Sequence, residues 1–477
     1  MSYHPEQLKW TEELEAGNAS FDNNNLDCGQ AYSVYKFHPE YGAFSACCDA
    51  KNVKYNHKLF VKLGKDYFDK HPDIVQTKKD LRNNIRNSKC DLCWQKEAQG
   101  IKSMRQSKGI NDVPQNHQNP HLDVEKSYPS RIELWTKSIC NLGCFMCHLG
   151  NSNTLRKIWY NDRDMHGNDG VGYDNWIKEI EYNKKNMLNE FNIELEKWIV
   201  DKISDPRNAT ITIAYLGGEP TLHNEMFEHA DKFIKAAQPV LINNRTESRS
   251  SIERKISIVT NGTSKDALNV RFYNMFEKYV EAGWVVKVMV SQDGTDDAAQ
   301  VRHGTNSEQV IKNYSNWMAP ESVVQELTHF TVLSNLNFPY VHKLLYKIRD
   351  TIDKHYADNP DILSRDKQLT IDFNPCMEPS WMQIRYLPKK FVVTATTESI
   401  KIFEYLNKNY NINLDEDIFR SMFAVTEESP AQQDVEEYFE KLHYVQQAYR
   451  KTYLDWDFYK NFPHLVEFAS DYGIERK

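Results

Sequence analysis

The stretch Arg131-Ile-Glu-Leu-Trp135-Thr-Lys-Ser-Ile-Cys140-Asn-Leu-Gly-Cys144-Phe-Met-Cys147 decides how the rest of the chain is read. Residues 131–135 have the character of a short strand, and a loop bearing Cys140, Cys144 and Cys147 follows at once. Soft sulfur suits iron, and three thiolates on so short a loop can bind three corners of a cubane cluster. Three ligands leave one metal position open. A structural site normally closes that position with protein, whereas a catalytic one leaves it for substrate. The competing readings are a zinc site completed by His148 and three unrelated buried thiols.

Outward from this loop, apolar runs rich in β-branched residues recur at 211–216, 256–259, 285–290, 330–333 and 369–373. Each closes on a polar or glycine-containing turn and is separated from the next by enough chain for a helix. Six such runs predict a parallel sheet buried by helices, an α/β fold of the partial (β/α)6 TIM-like barrel type. Phe227, Ala230, Ile234 and Ala237 repeat at helical spacing after Pro220. The interval 151–205 contains His-Gly-Asn-Asp-Gly-Val-Gly-Tyr-Asp-Asn-Trp and reads as an insertion of helices interrupted by a loop. Beyond Pro388 the pattern turns helical, with Val435, Tyr438, Phe439, Leu442 and Val445 on one face. The expected organisation is an N-terminal cysteine-rich auxiliary module over 1–125, a core barrel over 126–385 and a helical C-terminal cap over 386–477. The boundary is expected in the Asn/Gln/Pro-rich stretch 113–123.

The cysteine loop, with the apolar Met146 just before its last thiol, resembles the signature of the radical S-adenosylmethionine (SAM) superfamily. The resemblance spans roughly residues 130–380 and implies a 4Fe-4S cluster whose open iron is chelated by SAM. It also implies reductive cleavage of SAM to a 5'-deoxyadenosyl radical, which abstracts hydrogen from a substrate. Met146 would then touch adenine. Leu216-Gly-Gly-Glu-Pro220 looks like the family's GGEP motif and gives Gly217, Gly218 and Glu219 to the SAM amino group. Two glycines let a backbone approach closely, and a carboxylate can receive an ammonium. Ser291-Gln-Asp-Gly294 is similar to the family's S-x-D-G segment, which implies Ser291 at SAM and Asp293 at the substrate, where it is the candidate proton acceptor. Arg302 stands where relatives pair an arginine with the SAM carboxylate, a task suited to a guanidinium. Asn335 resembles an asparagine near the adenosine, with a helix cap as the equally good alternative. Cys376 reads as a buried small hydrophobe.

Cys90-x-x-Cys93 followed by Trp94, Glu97, Gly100, Ser103 and Arg105 resembles the end of the auxiliary-cluster modules called SPASM or twitch domains, and Cys47-Cys48 resembles their earlier part. With Cys28 these residues offer four thiolates if one is taken from Cys47 and Cys48. The resemblance implies a second 4Fe-4S cluster for electron relay or substrate anchoring; zinc is the alternative the donor set equally allows.

A chain of 477 residues with a formal charge of −8 gives no basic footprint for nucleic acid. Its opening residues carry charges throughout, and no segment reaches roughly 18 uninterrupted apolar residues. The expectation is therefore a soluble cytoplasmic protein with no membrane partner. Nine cysteines in that compartment suggest metal rather than disulfides. The enzyme reading further implies a flavodoxin- or ferredoxin-like reductant and an unidentified substrate, peptides and proteins being a class such auxiliary modules accompany. The contrasting reading is a zinc-stabilised interaction protein with a decayed barrel.

Overall fold

The computed structural model describes residues 26, 28–98, 103–107, 124–125, 129–147, 149–160, 188–246, 252–357, 367–377, 379–414, 416–426 and 429–475. The stretch 113–123, the motif at 166–176, His148 and Gly100 lie outside the described residues.

After a short helix, Gln30–Ser33, come three short strands: β1 (Val34–His38), β2 (Ala43–Ser45) and β3 (Val53–Lys54). The strand expected first is β4 (Arg131–Trp135), and the cysteine loop contains the short β5 (Gly143–Cys144). Then follow β6 (Thr210–Leu216), β7 (Glu253–Thr260), β8 (Val285–Ser291), the two-residue β9 (Arg302–His303), β10 (Glu326–Leu333), β11 (Gln368–Pro375) and β12 (Asn413–Leu414). Among the described residues β12, β11, β10, β8, β7, β6, β4, β1, β2 and β3 form one sheet in that order, while β5 and β9 form a separate ribbon. From β4 to β11 every pairing is parallel and neighbours follow chain order, as expected of a partial (β/α)6 barrel.

Alternation sorts the strand side chains. Ile132, Ile213, Ile256, Val288, Leu327 and Ile371 are buried in one continuous apolar core. Paired residues share a face, so Glu133, Ser257, Lys287 and Glu326 lie together on the other side, linked through Glu133↔Ala214↔Ser257↔Lys287↔Glu326. Ser291, the last residue of β8, belongs to that same polar face. The strand ends that carry the sequence motifs therefore open towards one side of the sheet.

The N-terminal unit, expected as a cysteine-rich auxiliary module, also adds a strand to the sheet: β1 pairs in parallel with β4, from Val34↔Arg131 to Phe37↔Leu134. Tyr35, Phe37, Phe44, Phe60, Tyr67 and Phe68 join the same core as the barrel residues. Phe37 packs on Trp198 at 5.4 Å and edge-on to Phe68 at 5.3 Å, so the inserted helix Leu188–Ser204 is shared by both units. The physical reason is that aromatic side chains bury large areas each, so strands too short to show a βα rhythm still build a core. Lys96, almost fully buried, reaches Asp49 at 3.3 Å and Asn374 of β11 at 3.4 Å. The N-terminal unit thus touches both the first and the last strand of the parallel set.

The C-terminal part is helical, with Val393–Tyr410, Glu416–Ala424, Gln432–Thr452 and His464–Asp471. All five residues of the expected face, Val435 to Val445, are buried. No helix of the described residues is long and apolar enough to cross a membrane.

Candidate functional site

The cysteine loop leaves β4 and folds back on the Gly-Gly-Glu turn after β6. Gly217 and Gly218 both have positive φ, +77° and +57°, a region other residues enter at a cost. A Cβ on Gly218 would stand 2.3 Å from the Ile139 carbonyl oxygen and 2.6 Å from that of Lys137. The close approach read from the sequence is therefore made, in part, to the chain's own cysteine loop. The Glu219 N–H donates to the Ile139 oxygen at 2.7 Å, and His223 Nε2 lies 3.1 Å from the same oxygen.

Glu219 is buried, and its carboxylate is engaged. It accepts from Thr221 N–H at 3.1 Å, Thr260 Oγ1 at 2.8 Å and Asn261 N–H at 2.7 Å. Burial pushes its pKa up, against these donors, which pull it down. The Thr260-Asn-Gly-Thr263 turn also grips the cysteine loop: Asn261 Nδ2 donates to Asn141 Oδ1 at 2.9 Å, and Asn141 Nδ2 to Thr263 Oγ1 at 2.8 Å. Sequence reading gave Asn141 no part.

The other side of the loop is fixed by β5 and β9, which pair antiparallel with Cys144 opposite Arg302 and Gly143 opposite His303. Phe145 N–H donates to the Val301 oxygen at 3.2 Å. The C-terminal helices complete the housing. Tyr449 donates from its hydroxyl to the Gly143 oxygen at 2.7 Å, and Phe145 packs among Tyr449, Trp456 and Phe458 at 4.5–5.3 Å between ring centres. His303 lies 4.0 Å from the Tyr453 ring. This aromatic housing was missed, because nothing in a helical repeat says which loop it covers.

Asp293 and Arg302, given separate roles from the sequence, meet as a buried pair. Arg302 Nε lies 2.6 Å from Asp293 Oδ2, and Nη2 donates to Oδ1 at 3.1 Å; Oδ1 also accepts from Val332 N–H at 2.7 Å. Burial pushes the Asp293 carboxyl up while Arg302 pulls it down. Asp293 Oδ1 thus accepts two hydrogen bonds, while Oδ2 accepts none within the described residues and faces Arg302 as an ion pair. Ser291 ends β8 on the polar face, and Met146 is half-buried against the apolar core. Asn335 is buried, donates from Nδ2 to the Trp381 oxygen at 2.7 Å, and keeps a buried Oδ1 that no hydrogen bond within the described residues satisfies. Cys376 is buried in the apolar core, as read.

In the N-terminal unit, Cys28, Cys47, Cys90 and Cys93 line one pocket together with Asp49 and Arg105. Cys48 is not part of that lining; its sulfur lies 4.0 Å from that of Cys47, and its charged neighbours include Glu133 of β4. Glu97, Ser103 and Arg105 form a clamp. Arg105 donates from Nε and Nη2 to the two Glu97 oxygens at 3.0 and 2.9 Å, and Ser103 Oγ donates to Oε1 at 2.6 Å. The guanidinium sits 5.3 Å from the Trp94 ring centre.

Among the described residues no three ligating side chains are already drawn together around a point. The chemistry of the donors nevertheless fits a thiophilic metal group. Burial pushes Cys140, Cys144, Cys28 and Cys90 up to about 12 and Cys93 up to about 11. Thiols so placed give up their protons when a metal replaces them, so metal binding and deprotonation are coupled.

Residues 136–319 match the family model described as the Radical SAM superfamily. Comparison with curated proteins found no match. Among solved structures, the chain is similar to one titled "Crystal structure of Streptococcus suis SuiB bound to S-adenosylmethionine". The identity is 12%, with 80% of this chain and 71% of that chain covered and a TM-score of 0.33.

Proposed function

We propose that the protein is a radical SAM enzyme in which Cys140, Cys144 and Cys147 hold a 4Fe-4S cluster, with Met146, Gly217, Gly218, Glu219, Ser291 and Asn335 facing SAM. The observation that carries this reading is the cysteine loop, wedged against the positive-φ Gly217-Gly218 turn inside the matched domain. When bound and reduced, such a cluster supplies the electron that breaks a carbon–sulfur bond of SAM. The chain's own part is positional. The Gly-Gly-Glu turn and the Asn141–Asn261–Thr263 bonds hold the loop on one side, β9 and the C-terminal aromatics hold it on the other, and together they keep water from its base. The unsatisfied Oδ1 of Asn335 supports a polar ligand beside that residue.

Cys28, Cys47, Cys90 and Cys93 form the proposed second set, for a 4Fe-4S cluster with no open position; their shared pocket favours Cys47 over Cys48. A flavodoxin- or ferredoxin-like reductant in the cytoplasm and a peptide or protein substrate complete the proposal. The test compares anaerobically reconstituted wild type with a Cys140→Ala/Cys144→Ala/Cys147→Ala variant. The expected result is about eight irons in the wild type and about four in the variant, with 5'-deoxyadenosine formed from SAM by the wild type alone. A fully loaded wild type that leaves SAM intact under a strong reductant overturns the enzyme. Zinc retained in the variant in place of iron overturns the second cluster and keeps the first.

A further inference from the structure

The pair formed by Asp293 and Arg302 leads further than either residue alone. Arg302 stands directly opposite Cys144 in the antiparallel ribbon of β5 and β9. Residues opposed in this way have Cβ atoms about 5 Å apart and send their side chains to the same face. The ribbon is fixed at both ends, by Phe145 N–H on the Val301 oxygen at 3.2 Å and Thr305 N–H on the Arg302 oxygen at 2.9 Å. Asp293 in turn is held by Val332 N–H on its carboxylate, and its own carbonyl accepts from Asn337 Nδ2 at 2.7 Å. The side chains are 13% and 0% exposed, so neither has room to swing out to solvent.

We propose that Arg302, oriented by Asp293, is a fixed cation of the cysteine loop that raises the reduction potential of the cluster held there. The inference rests on the reading of Cys140, Cys144 and Cys147 as its ligands. It reassigns Arg302 from a clamp on the SAM carboxylate to a positioning residue acting through charge.

The argument is electrostatic. A thiolate-ligated cluster becomes more negative when it accepts an electron, and net charge together with hydrogen bonds to sulfur sets its potential. In a buried site a nearby positive charge favours that reduced state far more than it would in water. A guanidinium keeps its charge at every pH the protein meets. Cys144 stands directly across the ribbon from Arg302. The Asp293 carboxylate aims the cation, with Arg302 Nη2 donating to Oδ1 at 3.1 Å.

The test is a redox titration of the loop cluster followed by electron paramagnetic resonance in the absence of SAM, on wild type, Arg302→Gln, Arg302→Lys and Asp293→Asn. Arg302→Gln is expected to lower the equilibrium constant for reduction at least tenfold, which is about 59 mV for a one-electron couple. Arg302→Lys keeps the charge and is expected to fall between the two. Asp293→Asn removes the opposing anion and is expected to leave the potential equal to or above that of the wild type. An unchanged potential in Arg302→Gln at full iron content, with SAM binding weakened, overturns the proposal in favour of the carboxylate clamp. Should Arg302→Gln bind too little iron to titrate, Asp293→Asn decides: a potential below wild type overturns the proposal, and one at or above it supports it. Absence of a loop cluster in the wild type would be a failure of the parent reading, recognised by iron content before any potential is measured.

Discussion

On the proposed reading, the two cysteine regions of this chain solve one problem in opposite ways. The N-terminal set is drawn from three separate segments, around Cys28, Cys47 and the Cys90–Cys93 helix, which converge on one pocket. The loop set comes from eight consecutive residues and is held by its surroundings: the Gly218 turn, β9 and the C-terminal aromatics. Both have an arginine paired with a carboxylate whose side chain is buried, Arg105 on Glu97 and Arg302 on Asp293. The difference teaches where each site is vulnerable. Ligands from distant segments tie the fold together when metal binds, whereas ligands from one loop depend on a scaffold that exists before binding.

The largest effect is expected from breaking the N-terminal fork. Glu97→Ala leaves Arg105 buried, its side chain 6% exposed, without its countercharge. Removing one partner of such a pair costs about 3–5 kcal/mol. The Ser103 hydroxyl loses its acceptor as well. Urea unfolding of the apoprotein should report this loss, and iron at the N-terminal set should fall while the loop set keeps its own. Equal loss at both sets would mean that the two regions are not independent, contrary to the comparison.

Next comes a pair of glycines with nearly the same φ. Gly64 and Gly218 have φ of +55° and +57°, but a Cβ meets nothing within 4 Å at Gly64 and meets the Ile139 oxygen at 2.3 Å at Gly218. Each alanine substitution pays about 1–3 kcal/mol for the positive φ. Gly218→Ala must in addition push the cysteine loop away. Thermal melts should show a loss in both, with iron missing from the loop set in Gly218→Ala only. If Gly64→Ala lost as much iron there, backbone strain rather than loop packing would be the cause.

How much of this was legible in the sequence follows the same division. The six strands from β4 to β11 announced themselves because β-branched runs closed by polar turns have few other uses. The loop and the Gly-Gly-Glu turn were legible because their chemistry is local in sequence. What a motif could not reveal was that Glu219 accepts from Thr260 and Asn261, or that Asp293 lies against Arg302, since both depend on which strand ends lie side by side. β1 was hidden for another reason: five residues flanked by no helical repeat carry too little pattern, and its burial comes from Phe68 and Trp198, far along the chain. The convergence of Cys28 with Cys47, Cys90 and Cys93 was likewise a matter of tertiary contact rather than spacing.

The smallest effect tests the scaffold at its far edge. Tyr449 is wholly buried, and its hydroxyl donates to the Gly143 oxygen one residue before Cys144. Tyr449→Phe keeps the ring that packs 4.5 Å from Phe145 and 5.7 Å from Trp456, so the apolar housing survives. Only the hydrogen bond is lost, at a cost of about 1 kcal/mol. A change that small should barely alter the unfolding midpoint of so large a chain, but it acts directly on the segment that carries the ligands. Release of iron to a chelator should therefore be a few-fold faster from the loop set and unchanged from the N-terminal set. If release accelerated equally at both, Tyr449 would be a general core residue; if it accelerated at neither, β9 and the Gly218 turn would be scaffold enough, and the C-terminal helices would serve the loop through packing alone.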